Sequence, residues 1–233
     1  MIRWSNDVQI TSIVRNLNIK ITTVKKVIKK FLDLCGPFNF HNNKLGGVNK
    51  IVQIDETMLN FKCKSHRGRS PHNKTDALVM VEVEDKIKRV FAVVIPDKRA
   101  ETILPIICNN IINGSVIWTD EHKSYSQLTS KGFLHSTVCH KYNFVDKETG
   151  THTQAVESFN NCIKIAIKKR KGVVVQSRQD FLNEICWLFN NKENRLERIL
   201  NIILHALHSF LLCSHTKMSR VFEANIVHPL HRA

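Results

Sequence analysis

Residues 77–95 read ALVMVEVEDKIKRVFAVVI, and this stretch decides the fold class of the chain. It contains two runs rich in β-branched and apolar residues, 77–84 and 88–95, with Asp85 and Lys86 at the turn between them. Such residues favour strands, and a short polar link between two such runs is typical of a hairpin. The stretch therefore predicts two antiparallel strands.

Further strands are predicted on both sides of this hairpin. Residues 50–55 (KIVQID) precede it and are short, apolar and β-branched, while residues 115–119 (SVIWT) and 134–140 follow it. Three consecutive strands with short links favour an antiparallel meander. Later strands that alternate with helices favour parallel additions to the same sheet.

Helical segments complete the order of elements. We predict helices over residues 100–112, 122–130, 154–169, 178–191 and 194–214. The order of elements from the first predicted strand onward is then three strands, helix, strand, helix, strand and helix. This order matches an RNase H-like fold. The predicted fold class is α/β. It is an RNase H-like mixed sheet, three antiparallel strands followed by two parallel ones, flanked by helices.

The first 35 residues have a different pattern, that of two short helices. One face of the second predicted helix carries Val24, Val27, Ile28 and Phe31, and its lysines lie elsewhere. A helix, a turn and a basic helix fit a helix-turn-helix in which Lys25 and Lys29 contact DNA. An ordinary amphipathic hairpin with a solvated lysine face fits the same pattern equally well.

The changes of pattern divide the chain into four regions. Gly36 and Pro37 end the second helix, and the residues after them are rich in Asn and Gly. The predicted regions are a helix-turn-helix-like DNA-binding segment (1–35), a linker (36–48), an RNase H-like catalytic core (49–172) and a C-terminal helical extension (173–233).

The charge of the chain favours a nucleic-acid partner. It has 35 Lys and Arg residues against 20 Asp and Glu residues, a formal net charge of +15. Such a field attracts polyanions and raises their rate of encounter. A basic protein whose lysines are merely solvated is the alternative interpretation of the same numbers.

The cysteines and the apolar segments predict an intracellular protein. Seven cysteines occur, and none forms a CxxC pair, which is typical of a reduced chain. The N-terminus lacks the apolar run of a secretory signal, and no uninterrupted apolar stretch of about 18 residues indicates a membrane span. If the host is eukaryotic, we expect the nucleus.

Three acidic residues occupy the positions that carry chemistry in such a fold. Asp55 ends the first predicted strand, Asp120 ends the fourth, and Glu157 lies in the first turn of the helix after the fifth. These places converge at one edge of the sheet. Carboxylates brought together repel one another, and divalent cations such as Mg²⁺ or Mn²⁺ offset that repulsion. Two such ions support in-line phosphoryl displacement.

Each of these acidic residues also has a purely local interpretation. Asp55 could cap a turn, Asp120 could cap the following helix, and Glu157 could offset the helix dipole. Their joint occurrence at three matching places favours catalysis. We therefore predict Asp55, Asp120 and Glu157 as catalytic and metal-binding residues.

The helix predicted over residues 154–169 has two stripes. An apolar stripe for the core consists of Val156, Phe159, Ile163 and Ala166. A neighbouring stripe consists of Glu157, Asn161, Lys164 and Lys168. Lys164 and Lys168 thus share a face with the carboxylate and are candidate phosphate contacts, although a solvated Glu-Lys face is the alternative. Arg67 and Arg69, in a basic loop, are further candidate DNA contacts.

At these residues the sequence resembles the Merlin-type DDE transposases and their bacterial insertion-sequence relatives. The interval between Asp120 and Glu157, residues 121–156, is 36 residues, as in the catalytic pattern of that family. The resembling stretches are VQIDET (52–57), HRGR (66–69), VFAVVIPDKRAETILPII (90–107), GSVIWTDEHKSYSQL (114–128), GFLHSTVCHKYNFVDKETGTHTQAVESFNNCIK (132–164) and LNEICWLFNN (182–191).

The resemblance implies a transposase that cuts transposon ends and joins them to target DNA. It implies that Asp55, Asp120 and Glu157 hold two Mg²⁺ or Mn²⁺ ions and that Lys164 contacts the transposon end. It also places residues 143–153 around the active site, with His140 and His152 near the metals. The implied partners are terminal inverted repeats, target DNA and further copies of the chain in a homodimer or larger synaptic assembly.

Two departures from the family pattern leave the carboxylates untouched. Relatives often carry Asn where this chain has Gln154, and often Gly-Phe-Trp where it has Ser158, Phe159 and Asn160.

Three rival functions remain open from the sequence. A domesticated or degenerate transposase-derived protein would bind DNA without transposing it. A nuclease with the same metals would cut without joining. A zinc protein would use His135, Cys139, His140 and His152, although their spacing fits no common zinc finger.

Overall fold

The computed structural model describes residues 1–35, 44–61, 74–138 and 152–208. The chain forms two compact units: Met1–Pro37 with Glu193–Ala233, and Phe38–Lys192. Within the described ranges, no helix combines the length and the apolar character needed to cross a membrane.

The smaller unit contains three N-terminal helices, α1 (Ile2–Ser5), α2 (Ile10–Leu17) and α3 (Ile21–Leu34). Asn18 adopts a left-handed conformation, φ 50°, and makes the turn between α2 and α3. The α1 helix escaped the sequence analysis. Its Trp4 packs edge-on against Phe31, with ring centroids 5.8 Å apart, and so buries part of the apolar face of α3.

The faces of α3 follow the predicted pattern with one exception. Val24, Ile28 and Phe31 are buried. Val27, assigned to the same face, is 46% exposed and lies at its margin. The lysines of α3 are exposed. Residues 195–208 are also helical and belong to this unit.

The larger unit is built on a five-stranded sheet. Its strands are β1 (Ile51–Met58), β2 (Asp76–Val83), β3 (Ile87–Ile95), β4 (Val116–Asp120) and β5 (Leu134–Val138). The spatial order is β3-β2-β1-β4-β5. β1, β2 and β3 are antiparallel neighbours, whereas β4 runs parallel to β1 and β5 parallel to β4. This topology confirms the predicted α/β fold class, an RNase H-like mixed sheet.

Helices cover both faces of this sheet. They are α4 (Ala100–Asn110), α5 (Gln154–Lys169) and α6 (Arg178–Asn190). Val52, Ile54 and Ile117 pack on the α4 side, and the α5 and α6 side buries Val79 and Val81. The sheet is therefore the middle of three layers.

The prediction of a helix over residues 122–130 is wrong. Two short 3₁₀ turns occupy this segment, Lys123–Tyr125 and Thr129–Lys131. Tertiary hydrogen bonds override the helical pattern here, because the Ser124 hydroxyl donates to the carbonyl of Lys98 and the Tyr125 hydroxyl donates to Glu56. The consequence is a compact loop directly after β4.

The outer edge of the sheet is covered by α6. Asn190 accepts a hydrogen bond from the backbone N–H of Val90 (2.8 Å) and donates one to its carbonyl (2.9 Å), as a neighbouring strand would. Gln179 accepts from the N–H of Val94 at 2.9 Å. These side chains satisfy edge groups that would otherwise pair with another chain. Helix α6 lies in the same compact unit as the sheet.

Candidate active site

Strand β1 is buried on both faces, but only one of them is apolar. Val52 and Ile54 are fully buried on the α4 side. The alternate residues Gln53, Asp55 and Thr57 point to the other side, where Gln53 is 0% and Thr57 3% exposed. Successive side chains on a strand point to opposite faces, so these three residues form one polar stripe.

Gln53 fixes the start of α5. Its Oε1 accepts hydrogen bonds from the backbone N–H groups of Ala155 (2.9 Å) and Val156 (3.1 Å). The first N–H groups of a helix have no partner within the helix, and a side-chain oxygen at this place satisfies them. Gln53 also lies 3.4 Å from Nδ1 of His152. The first turn of α5, which carries Glu157, is thereby anchored to β1.

Asp55 and Asp120 lie on neighbouring parallel strands. β1 and β4 pair in parallel from Ile51 opposite Val116 to Gln53 opposite Trp118. Asp55 and Asp120 each follow the last residue of this pairing on their strand by two positions, and the charge of Asp120 contributes to the raised pKa of Asp55. Asp55 is not the end of its strand as predicted, because β1 continues to Met58 to pair with β2.

Of the three predicted carboxylates, Asp55 is the one whose protonation its surroundings change most clearly. The pKa of Asp55 is raised to about 6, first by burial and then by the negative charge of Glu56. Asp120 and Glu157 raise this pKa further, while the hydrogen bond from the Glu56 backbone lowers it. Asp55 is thus a carboxylate whose charge is disfavoured by its surroundings, the situation that a bound cation relieves.

Both oxygens of Asp55 accept hydrogen bonds. Oδ1 accepts from the backbone N–H of Glu56 and Oδ2 accepts from Nδ2 of Asn160, each at 2.8 Å. Asn160 belongs to α5, three residues after Glu157. The side chain of Asp55 is therefore held from its own strand and from the helix that carries Glu157.

Asp120 is half-buried like Asp55, whereas Glu157 is exposed. Asp120 is half-buried at the end of β4, and its Oδ1 accepts from the backbone N–H of His122 at 3.1 Å. This bond supports the turn after the strand, as the local interpretation of Asp120 anticipated. Glu157 is exposed in the first turn of α5, where the Thr153 hydroxyl lies 3.4 Å from its Oε1.

A buried network on the opposite face ties the Asp120 loop to β1. The side chain of Glu56 is 5% exposed and accepts hydrogen bonds from the Tyr125 hydroxyl and from Lys98 Nζ, the latter at 3.3 Å. Burial, followed by the charges of Glu56, Asp120 and Asp55, raises the pKa of Tyr125 well above its usual range. Tyr125 therefore remains a neutral donor and holds the loop after Asp120 against the strand of Asp55.

The donor chemistry at this edge fits a hard divalent cation. Carboxylate oxygens are the ligands that Mg²⁺ and Mn²⁺ prefer. Asn160 adds a buried Oδ1 that has no hydrogen-bond partner. In the part of the chain that is described, no three His, Cys, Asp or Glu side chains already stand close enough to enclose a metal ion. The fit of a divalent cation to this edge therefore rests on the chemical identity of the donor atoms and on the raised pKa of Asp55, whose ionised form a cation would stabilise.

The other predicted site residues fall into three groups. Lys164 and Lys168 are exposed on α5. Lys25 and Lys29 are exposed on α3 in the smaller unit, where Lys29 lies 3.5 Å from Asp33. The remainder lie outside the described residues, namely Arg67, Arg69, His140 and Cys139.

The two described histidines of the zinc hypothesis, His135 on β5 and His152 just before α5, have different neighbours. His152 packs edge-on against Trp118, with ring centroids 5.3 Å apart. His135 lies 2.9 Å from the hydroxyl of Thr119, and burial lowers its pKa.

Four residues of this site escaped the sequence analysis: Gln53, Glu56, Tyr125 and Asn160. One signal was available. Polar residues at every second position of an otherwise apolar strand indicate a polar face that is not solvent-exposed when the strand lies in the middle of a sheet. The residues of α5 that contact Gln53 and Asp55 lie about 100 positions away in sequence, and no local sequence pattern predicts these contacts.

Comparison with known proteins assigns the family. The profile of the ISXO2-like transposase domain matches residues 44–190, more than half of the chain. The chain belongs to the ISXO2-like transposase family. The matched range begins just before β1 and ends with α6, so it contains the whole sheet and the candidate active site.

One relative and one solved structure are also similar to this chain. An uncharacterized transposase-like protein of Haemophilus influenzae is 30% identical over 105 residues, which is 45% of this chain and 84% of the relative. Among solved structures, the catalytic core domain of BIV integrase is similar at 19% identity with a TM-score of 0.40, covering 69% of this chain and 97% of that one. As an ISXO2-like transposase, the chain is a nucleic-acid-processing protein of the transposase type.

Proposed function

We propose that this ISXO2-like transposase is a DDE enzyme in which Asp55, Asp120 and Glu157 bind two Mg²⁺ or Mn²⁺ ions. The observation that carries the proposal is that Asn160, on the helix of Glu157, holds Asp55 at 2.8 Å, with Asp120 and Glu157 among the charges that raise the pKa of Asp55. These three carboxylates are distant in sequence, and the parallel pairing of β1 with β4 together with the capped start of α5 supports their convergence at one edge of the sheet. The 36-residue interval between Asp120 and Glu157 further supports a Merlin-type pattern.

The proposed reaction consists of two phosphoryl transfers. In cleavage, a water oxygen bonds to the phosphorus at the transposon end, the 3′ oxygen leaves, and the products are a 3′-hydroxyl and a 5′-phosphate. In joining, that 3′-hydroxyl loses its proton and its oxygen bonds to a target phosphorus, while a target 3′ oxygen leaves and takes up a proton, so that no net proton is released. Divalent ions supply stabilisation of the attacking and the leaving oxygen.

The role of the protein in this reaction is to position charge. Asp55 has a pKa of about 6, so its carboxyl is mostly ionised near pH 7.5 despite its burial. The Glu56 backbone and Asn160 hold its two oxygens. Tyr125 and Gln53 hold the loop of Asp120 and the helix of Glu157, respectively. Preorganised ligands of this kind require little rearrangement during the reaction.

DNA binding is proposed to use the basic residues around this edge. Lys164 and Lys168 lie about two and three turns beyond Glu157 on the exposed face of α5, where they can contact phosphates. We include Arg67 and Arg69 from the basic loop. In the smaller unit, α2 and α3 would recognise terminal repeats through Lys25 and Lys29.

The proposed partners are terminal inverted repeats, target DNA and further copies of the chain. A homodimer or a larger synaptic assembly would hold the two transposon ends together. In a eukaryotic host the place of action would be the nucleus.

A cleavage and joining assay tests the proposal. The full chain is incubated with labelled duplexes taken from the DNA that flanks its gene, together with a target plasmid and Mg²⁺ or Mn²⁺. We expect nicked ends and plasmid-joined product. Asp120→Asn and Glu157→Gln should abolish both products. Glu101→Gln, an exposed acidic residue of α4, is the matched control and should retain them.

The rival functions give different products in the same assay. Binding of the duplex without cleavage in either metal would indicate a degenerate or domesticated DNA-binding protein. Cleavage without joining would indicate a nuclease. Cleavage that persists in Asp120→Asn would contradict the proposed site.

A further inference from the structure

Asn160 is a polar residue in the buried face of α5. It is 3% exposed, and its neighbours on that face, Val156, Phe159 and Ile163, are fully buried apolar residues. A buried amide without full hydrogen bonding costs about 1–3 kcal/mol relative to an apolar side chain. The core packing of α5 therefore gives no reason for an amide at this position.

The contacts of Asn160 are with the candidate active site. Its Nδ2 donates to Asp55 Oδ2 at 2.8 Å, across 105 positions of sequence. Its Oδ1 is buried and makes no hydrogen bond in the structure. One end of the amide thus orients a carboxylate, and the other end is an unused acceptor beside the same carboxylate.

The position of Asn160 on α5 connects two of the three acidic residues. Residues three apart on a helix are neighbours on its surface, so Asn160 lies next to Glu157. The same side chain contacts Asp55 on β1. Gln53 fixes the start of α5 two residues before Asp55 on the polar stripe. The helix is therefore tied to β1 at two points that flank Glu157.

We propose that Asn160 is a positioning residue that sets the orientation of Asp55 for divalent-cation binding. This inference rests on the proposed function of Asp55 as a metal ligand. Asn160 acts in two ways: Nδ2 fixes which lone pairs of Asp55 remain available, and Oδ1 offers a buried acceptor to a hydrated cation. Hydrogen-bond partners that orient metal ligands typically change metal affinity by about 10- to 100-fold when they are removed.

Mn²⁺ binding to the DNA-free full chain tests this inference without relying on activity. Free Mn²⁺ is measured by electron paramagnetic resonance during a titration of the wild type and of Asn160→Leu, which has nearly the same size and cannot donate. We expect Asn160→Leu to weaken Mn²⁺ binding about 10-fold or more. Asn109→Leu is the matched control, because Asn109 is an exposed asparagine of α4 that belongs to neither the proposed metal site nor the proposed DNA contacts, and it should bind as the wild type does.

Two further measurements separate positioning from stability. Circular dichroism establishes the folded fraction of each variant before titration, so that affinity is compared among folded chains. If Asn160→Leu does not fold, Asn160→Ser takes its place, since the shorter hydroxyl does not reach Asp55; the same loss of affinity is expected. A folded Asn160 variant that binds Mn²⁺ with wild-type affinity would overturn the inference.

Asp55→Asn distinguishes the failure of this inference from the failure of the proposed function. If Asp55→Asn abolishes Mn²⁺ binding and the Asn160 variants do not weaken it, only the role of Asn160 is rejected. If the wild type and Asp55→Asn bind Mn²⁺ equally, Asp55 is not a ligand, and the proposed function and this inference are both rejected.

Discussion

The two faces of β1 both pack against helices but are chemically different. On the α4 side, Val52 and Ile54 meet a continuous apolar core. On the α5 side, Gln53, Asp55 and Thr57 are polar and lie between strands and a helix rather than in water. Burying polar groups is costly unless they are paired. The difference teaches that one face of the strand stabilises the fold while the other positions charged groups for the proposed reaction.

The largest expected effect is on the polar face. Asp55→Asn should reduce metal-dependent DNA cleavage by on the order of 10³-fold or more, because a neutral amide is a poor ligand for the ions that stabilise the transition state. The folded fraction should stay unchanged. The measurement is a single-turnover cleavage rate in Mg²⁺ or Mn²⁺, with circular dichroism as the control. A cleavage rate within tenfold of the wild-type rate would mean that the polar face of β1 is not needed for the proposed reaction.

The apolar face should respond in the opposite manner. Ile54→Ala leaves a cavity next to Met80 and Ile103 in the α4-side core. Such truncations cost about 2–5 kcal/mol of unfolding free energy. Urea denaturation measures this loss. Cleavage per folded molecule should remain near the wild-type rate. A loss of cleavage in fully folded Ile54→Ala would contradict the assignment of the apolar face to stability alone.

A smaller effect is expected from the cap on α5. Gln53→Met keeps the size of the side chain but leaves the N–H groups of Ala155 and Val156 without their acceptor, which should cost about 1–3 kcal/mol. Gln53→Glu retains an accepting oxygen and is the matched comparison. Denaturation of both variants tests the role of the cap. Equal stability of Gln53→Met and the wild type would mean that α5 is held by its apolar face alone.

The smallest effect concerns pH. The folded-state pKa of Asp55, about 6, exceeds its ordinary value of 3.8, so the folded chain binds this proton more tightly than the unfolded chain. The ionised Asp55 therefore lowers the free energy of unfolding by its largest amount above pH 6, and this destabilisation disappears as the pH falls towards 4. Without metal, Asp55→Asn should therefore be more stable than the wild type at pH 7.5, by on the order of 1–3 kcal/mol.

That difference should shrink at pH 5. Thermal unfolding of both proteins in a chelating buffer provides the comparison, and other titrating groups cancel between them. A stability difference that does not change between pH 7.5 and pH 5 would contradict the assigned environment of Asp55.

The sheet and the acidic residues were predictable because local pattern determines them. The runs before and after Asp85 specify a hairpin, and it forms as β2 and β3. Asp120 was predicted at a strand end and is found there. Glu157 was predicted in the first turn of a helix and lies in that turn. In each case, neighbouring residues along the chain contain the necessary information.

The supporting contacts were not predictable because they depend on distant partners. The pattern over residues 122–130 predicts a helix, yet the bond between Tyr125 and Glu56 joins positions 69 apart and favours short turns. Asn160 occupies a position on the buried face of α5 that helical periodicity could identify. Its reason for being an amide, the carboxylate of Asp55, became visible only with the fold.

Anomalous diffraction from crystals soaked in Mn²⁺ tests most directly whether the three carboxylates share cations. The account predicts strong anomalous peaks at the edge of the sheet, with oxygens of Asp55, Asp120 and Glu157 at about 2.1–2.3 Å from the ions. Peaks confined to other surfaces, or an edge that stays empty at saturating Mn²⁺ while the protein is folded and bound to DNA, would contradict it.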